Sequence, residues 1–152
     1  MSRIALFARY AAAFEDAYKG DDWSLLEPFF TEDAVYDVGG MPGPLGGRSE
    51  GRDAILGYFD RVLNGFDRRF ATRTIAVVDG PREDGDTVWI RGSVVYTAPG
   101  VPDLRFELEE IATFRGDQIC HLEDRYDDAT IKSVLDHVGT HGAKLGIADT
   151  ED

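Results

Sequence analysis

Residues 103–127 read DLRFELEEIATFRGDQICHLEDRYD, and their alternation decides the fold. In the first half, Leu104, Phe106, Leu108, Ala112 and Phe114 fall on one face of a strand, because side chains two apart share a face. Glu110 interrupts that apolar set. The opposite face carries Arg105, Glu107, Glu109, Thr113 and Arg115, with Ile111 its one apolar member. Arg115, Gly116 and Asp117 turn the chain. The second half then sets Cys120, Leu122, Asp124 and Tyr126 on one face. The stretch is a β-hairpin with an apolar face that carries one carboxylate in each arm.

Whether Glu110 and Asp124 meet depends on the turn. A two-residue Gly-Asp turn places Glu110 opposite Glu123, and a three-residue turn places it opposite Leu122. Of each adjacent acidic pair, Glu109–Glu110 and Glu123–Asp124, only one member can point inward.

Upstream of the hairpin, Arg69–Val78 and Thr87–Thr97 read as two further strands, joined by DGPREDGD and followed by APGVPD, both turn chemistry. Phe7, Tyr10, Phe14, Ala17 and Tyr18 recur at helical spacing from Arg3 to Lys19, with Gly20 as the C-terminal cap. Asp22 caps a short second helix over Trp23–Glu27 that Pro28 disturbs. Ala34–Val38 reads as a strand, and a third helix runs from Arg52 to Gly65. The intervening GGMPGPLGGRSEG, residues 39–51, is too rich in glycine and proline for regular structure and reads as a flap or a surface connection. A short final helix spans Asp128–Val138 and ends at Gly139. The tail, residues 146–152, reads as loose.

This order gives a single α+β domain over 1–152. Helices gathered at one end with an antiparallel meander behind them make it α+β, and the sheet is expected to bend strongly around the helices. Such a sheet leaves an apolar pocket beneath it.

The 152 residues suffice for a real core, and 43% apolar residues mark a globular chain. A net charge of −13 excludes nucleic acid and anionic membrane surfaces as partners and accommodates a small hydrophobic molecule. One cysteine rules out an internal disulfide framework and fits the cytoplasm. No run is long enough to span a membrane.

DDWSLLEPFFTEDAVYDV, GRDAILGYF and ELEEIATFRGDQICHLEDRYD together resemble the nuclear transport factor 2-like superfamily, in its SnoaL-like polyketide cyclase and ketosteroid isomerase branch. The resemblance runs from about Ile4 to Val138. It implies a cone-shaped α+β barrel, a curved antiparallel sheet wrapped around three N-terminal helices with a short C-terminal helix and a deep pocket, together with a homodimer through the outer sheet face and no metal or organic cofactor. It also implies either cofactor-free acid/base chemistry (cyclisation, isomerisation or dehydration of a hydrophobic carbonyl compound) or a non-catalytic ligand-binding or dimerisation module.

Matched to the isomerase pattern, the base position falls on Val38, with Asp37 one place short. The oxyanion tyrosine falls on Phe14, with Tyr10 and Tyr18 one turn to either side, and the protonated acid falls on Glu110. The SnoaL-like acid/base aspartate matches Asp124, with Asp127 as the alternative. The epoxide hydrolase pattern finds only Arg91 and Arg125 as arginine candidates, without the partner strand motif. The expected catalytic set is therefore Asp124, Glu110 and Tyr10. Phe14, Tyr18, Tyr36, Val38, Phe59, Leu108, Leu122 and Tyr126 are expected to line the pocket. A carboxyl such as Glu110 among apolar neighbours loses solvation and holds its proton. The competing expectation is that Glu110 pairs with Arg91 or Arg125 or faces a dimer contact. His137 and His141 have helical metal-ligand spacing but lie astride Gly139 and lack a third ligand, so they read as surface histidines.

Overall fold

The computed structural model describes residues 1–147. Helix α1 (Arg3–Gly20) begins at Ser2, whose hydroxyl accepts from the Ala5 N–H at 3.1 Å, and it buries Leu6, Phe7, Tyr10 and Ala17. The helix outruns its expected end by one residue. Asp21, not Gly20, takes the left-handed cap, with φ of 51°, a conformation a short polar side chain tolerates. The second helix is a 3-10 turn over Trp23–Phe29, capped by Asp22; with Pro28 inside it, an α-helical ladder cannot form there.

Strand β1 (Phe30–Gly39) follows and turns its Ala34, Tyr36 and Val38 into the core. The glycine-rich segment is more ordered than its composition suggests. A 3-10 turn at Gly43–Leu45 leads into β2 (Gly47–Glu50), which pairs antiparallel with β1 from Val38↔Gly47 to Val35↔Glu50. Two glycines pack closely there: a Cβ on Gly46 would lie 1.6 Å from the Met41 carbonyl oxygen, and one on Gly40 would lie 2.4 Å from Ile131 Cδ1. Helix α2 (Arg52–Gly65) buries Ile55, Tyr58, Phe59 and Leu63.

The long hairpins come next as β3 (Thr72–Asp84), β4 (Thr87–Ala98), β5 (Val101–Arg115) and β6 (Gln118–Arg125). Most of DGPREDGD belongs to β3, and only Gly85 and Asp86 turn the chain. The strand accepts Gly80–Pro81 because it lies at the sheet edge and is bulged on either side of Asp79. Likewise Val101–Asp103 joins β5, leaving Pro99–Gly100 as the turn.

The strand order is β2-β1-β6-β5-β4-β3. The expectation of a wholly antiparallel sheet is corrected: β1 and β6 run parallel, Tyr36 beside Leu122 and Val38 beside Asp124, so the sheet is mixed. The register of the deciding hairpin also differs from both expectations. Arg115 pairs with Gln118 across a two-residue turn, but Thr113 pairs with His121 while Phe114 pairs with Ile119. Cys120 is thus the extra residue of a β-bulge. The bulge advances β6 by one place, and Glu110 lies directly opposite Asp124. It also buries Ile119 as well as Leu122 and leaves Cys120 only half-buried.

Helix α3 (Asp128–Leu145) is not short. It runs through Gly139, which has open space around it, and ends at Gly146 in the left-handed region. Its N-terminus is capped by Asp127, whose side chain accepts from the Thr130 N–H at 2.7 Å. Ile147, assigned to the loose tail, returns its N–H to the Gly142 carbonyl at 2.9 Å and packs on the core. The rest of that tail lies outside the described residues. Among the described residues no helix is long and apolar enough to cross a membrane.

Candidate active site: a carboxyl pair in an apolar cavity

A cavity of about 290 Å³ lies between the concave sheet face and the helices. Its wall is almost entirely apolar and aromatic. Phe7, Phe14 and Tyr10 come from α1, Phe59 and Tyr58 from α2, and Phe106 and Leu108 from β5. The flap adds Met41 and Leu45, held down where the Tyr58 hydroxyl donates to the Leu45 carbonyl at 2.6 Å. The segment that reads as a flap or a surface connection is thus part of the cavity wall.

Two carboxyls enter this apolar space side by side, Glu110 from β5 and Asp124 from β6. The Tyr36 hydroxyl, from β1, donates to Asp124 Oδ2. Asp124 Oδ1 is buried and takes no hydrogen bond from any nitrogen or hydroxyl donor among the described residues. The group placed to donate to it is the Glu110 carboxyl directly opposite, in its protonated form.

The electrostatics follow from burial. Loss of water pushes the Glu110 carboxyl well above the usual range, and the charge of Asp124 beside it pushes further, while Arg73 pulls weakly the other way. Asp124 is also raised by desolvation, but the hydrogen bonds from Glu110 and Tyr36 pull it down. The pair therefore holds one proton, chiefly on Glu110. The tyrosines around it stay protonated: burial lifts Tyr10, Tyr36 and Tyr126 well above the ordinary phenol value, and Tyr58 also rises. The site thus offers one carboxylate, one carboxylic acid and several phenol donors in an apolar enclosure.

Of the residues expected from sequence, the cavity brings together Asp124, Glu110, Tyr10, Phe14, Tyr36, Phe59, Leu108 and Tyr126. Three do not line it. Val38 and Leu122 face the same side of the sheet but are closed into the core. Tyr18 lies beyond the cavity near the end of α1, where its ring carries the Arg73 and Arg68 guanidinium groups at 4.8 and 4.5 Å. Tyr10 packs edge-on against Phe14 and Phe30, and it borders the cavity without a hydrogen bond to either carboxyl.

The pairing alternative for Glu110 is corrected. Arg91 bonds Glu109 at 2.9 Å and Arg125 bonds Glu123 at 2.7 Å, both on the outer face. Asp127 is spent on the α3 cap, and Asp37 meets His121 Nε2 at 2.8 Å on the outer face. His137 and His141 do share one helix, with rings 5.0 Å apart, but His137 Nε2 lies 2.8 Å from the Pro102 carbonyl oxygen. No group of three metal-binding side chains occurs among the described residues.

The sequence reading missed a second polar group on the wall. Asp67 Oδ2 accepts from the Tyr96 hydroxyl at 2.6 Å and from Arg73 Nε at 3.0 Å, and Arg73 Nη1 reaches Glu15 at 3.1 and 3.2 Å. Burial raises the Asp67 carboxyl against the pull of Arg73 and Tyr96. The alternation of β3 puts Arg73 on the face of Ile75 and Val77, the one available signal that it points inward.

A curved sheet closed by helices over an apolar cavity is an α+β fold of the nuclear transport factor 2-like type, here with a buried carboxyl pair inside it. The chain belongs to the SnoaL-like domain family, whose sequence profile matches residues 10–122. No curated protein matches it. Among solved structures it is similar to a nuclear transport factor 2-like protein of unknown function from Burkholderia pseudomallei (17% identity, 91% of this chain and 98% of that one, TM-score 0.66). It is similar also to a protein of ketosteroid isomerase-like fold from Catenulispora acidiphila, in complex with trimethylamine (21%, 86% and 92%, TM-score 0.62). A third is a putative polyketide cyclase from Sinorhizobium meliloti (23%, 77% and 94%, TM-score 0.56). At these identities the likeness is one of fold.

Proposed function

We propose that the chain is a cofactor-independent acid/base enzyme acting on a hydrophobic carbonyl compound, with Asp124 as base and Glu110 as the acid that faces the developing oxyanion. The observation that carries this reading is the placement of Glu110 directly opposite Asp124 inside an apolar cavity, with burial raising both carboxyls.

In this mechanism a ligand carbonyl displaces Asp124 as the acceptor of the Glu110 proton. Asp124 removes a hydrogen from the carbon next to the carbonyl. The C–H electron pair forms the C=C bond, and the carbonyl π pair moves to oxygen. Glu110 and the Tyr10 hydroxyl donate to that oxygen, and the apolar wall keeps water from competing. Asp124 returns the proton at another carbon for an isomerisation. Alternatively the enolate carbon attacks a second carbonyl, whose oxygen takes a proton, for a cyclisation. Tyr36 positions Asp124 and limits its basicity.

That last point favours a second reading. Asp124 Oδ2 is already engaged by the Tyr36 hydroxyl, as suits a rigid wall of a non-catalytic binding pocket. Deuterium exchange separates the two. The protein is incubated with 2-tetralone in D2O, and loss of the α-proton signals is followed by NMR. The catalytic reading expects exchange above background that falls by about 10²- to 10⁴-fold in Asp124→Asn. Equal rates in both proteins, with 2-tetralone still bound, overturn it. We further propose, from the family resemblance, that the outer sheet face forms a homodimer and, from the single free thiol, a cytoplasmic location.

A further inference from the structure

The cavity has two polar poles, and only one of them belongs to the acid/base pair. Across three neighbouring strands, Ile90 of β4 lies opposite Glu110 of β5, and Tyr96 of β4 lies opposite Arg73 of β3. Six residues of β4 separate the two levels, roughly 20 Å of strand. The long side chains of Glu110, Arg73 and Tyr96 all turn toward the cavity and shorten the gap. Phe106 and Leu108 line the wall between them.

At the far pole the Arg73 side chain is only 8% exposed, and the residue lines the cavity. Its hydrogen bonds are spent at Nε, on Asp67, and at Nη1, on Glu15; Nη2 makes none among the described residues. A guanidinium held rigidly by two carboxylates and by the rings of Tyr18 and Phe14 has one edge left to offer. Glu15, Asp67 and Tyr96 at the same pole also line the wall.

We propose that Arg73 is a specificity residue that binds a neutral oxygen acceptor, a phenol or ketone oxygen, at the far end of an elongated ligand whose reacting end lies at Glu110 and Asp124. The charge balance selects the chemistry. Two carboxyls already face this one cation, so a carboxylate or phosphate on the ligand would add a third negative group in a space that excludes water. A neutral oxygen takes the unused N–H without that repulsion. The ligand class is therefore a two-ended, mainly apolar compound with oxygen at both ends and none needed between. With side chains reaching in from both ends of strand levels roughly 20 Å apart, a rod of about two or three rings has the length to bridge the poles.

The inference deepens the proposed function and rests on it only for the identity of the reacting end. Three probes test it by fluorescence titration near pH 7: 4-phenylphenol with one oxygen end, 4,4′-biphenol with two, and 4′-hydroxybiphenyl-4-carboxylate with an anionic end. Wild type is expected to bind the biphenol about tenfold more tightly than 4-phenylphenol, and the carboxylate more weakly than the biphenol. Arg73→Lys keeps the charge beside Asp67 but loses the fork. Its preference for the biphenol over 4-phenylphenol should fall to about twofold or less. Equal binding of the two phenols by wild type, an undiminished preference in Arg73→Lys, or tightest binding of the carboxylate overturns the inference. Loss of α-proton exchange with the preference intact sinks the catalytic reading alone.

Discussion

At the residue scale, the carboxyl pair makes a claim about stability as well as chemistry. Glu110 is held above its ordinary value chiefly by desolvation. Below that ordinary value both the folded and the unfolded chain carry the proton, and nothing depends on pH. Above it the unfolded chain releases the proton while the folded protein keeps it, so stability falls as pH rises toward the raised value. Glu110→Gln keeps a hydrogen-bond donor and removes the ionisation. Its melting temperature is expected to decline less than that of wild type between pH 5 and 8, the corresponding difference in unfolding free energy growing by at most about 1.4 kcal/mol per pH unit. Asp33 and Asp127, whose values are lowered, act in the opposite sense and only at lower pH, so they do not mask the effect. Parallel melting curves would show that the pair ionises freely. The identity of these two acids was legible in the alternation of DLRFELEEIATF and in the family pattern. The far pole was not, because an arginine in TRTI looks like any surface arginine until helix α1 delivers Glu15 to it.

At the scale of elements, the sequence was informative wherever side-chain periodicity was strong and misleading wherever one residue changed the geometry. Helices α1 and α2 follow from helical spacing almost to the residue, and the strands and their faces follow from alternation, although β3 runs from Thr72 to Asp84 rather than Arg69 to Val78 and β5 starts at Val101 rather than Leu104. The bulge at Cys120 does not, since a thiol is no bulge signal, yet it alone places Asp124 opposite Glu110. Gly139 misleads in the other direction. A glycine reads as a helix end, but α3 continues through it because Val134 and Val138 before it and Leu145 after it pack on the core. Gly139 is exposed, helical, and has no atom within 4 Å of where a Cβ would stand. Gly139→Ala is therefore expected to stabilise the protein by about 0.5–1 kcal/mol, through lost freedom of the unfolded chain. Urea unfolding checks it; a decrease in stability would mean that α3 is broken at this point in solution.

At the scale of the whole molecule, the net charge of −13 bears on the proposed dimer. The outer sheet face carries Trp89 opposite Ile111, both only half-buried in the single chain, flanked by the ion pairs of Arg91 with Glu109 and Arg125 with Glu123. An apolar centre with a charged rim suits a two-fold contact, in which each copy presents the same patch. Two copies of so acidic a chain nevertheless repel one another at a distance. The Debye length falls from roughly 20–30 Å at about 0.01–0.02 M salt to about 8 Å at 0.15 M, so added salt screens this repulsion before it weakens the short-range rim pairs. Dimerisation followed by analytical ultracentrifugation is thus expected to strengthen as salt rises through that range. Ile111→Asp should give monomers throughout, by placing a charge in the apolar centre. The cavity opens on the concave side, away from Ile111, so the monomeric variant should still bind 4,4′-biphenol with the wild-type preference. A variant that loses both properties together would show that the dimer contact supports the cone itself, and that the two faces of the sheet are not independent.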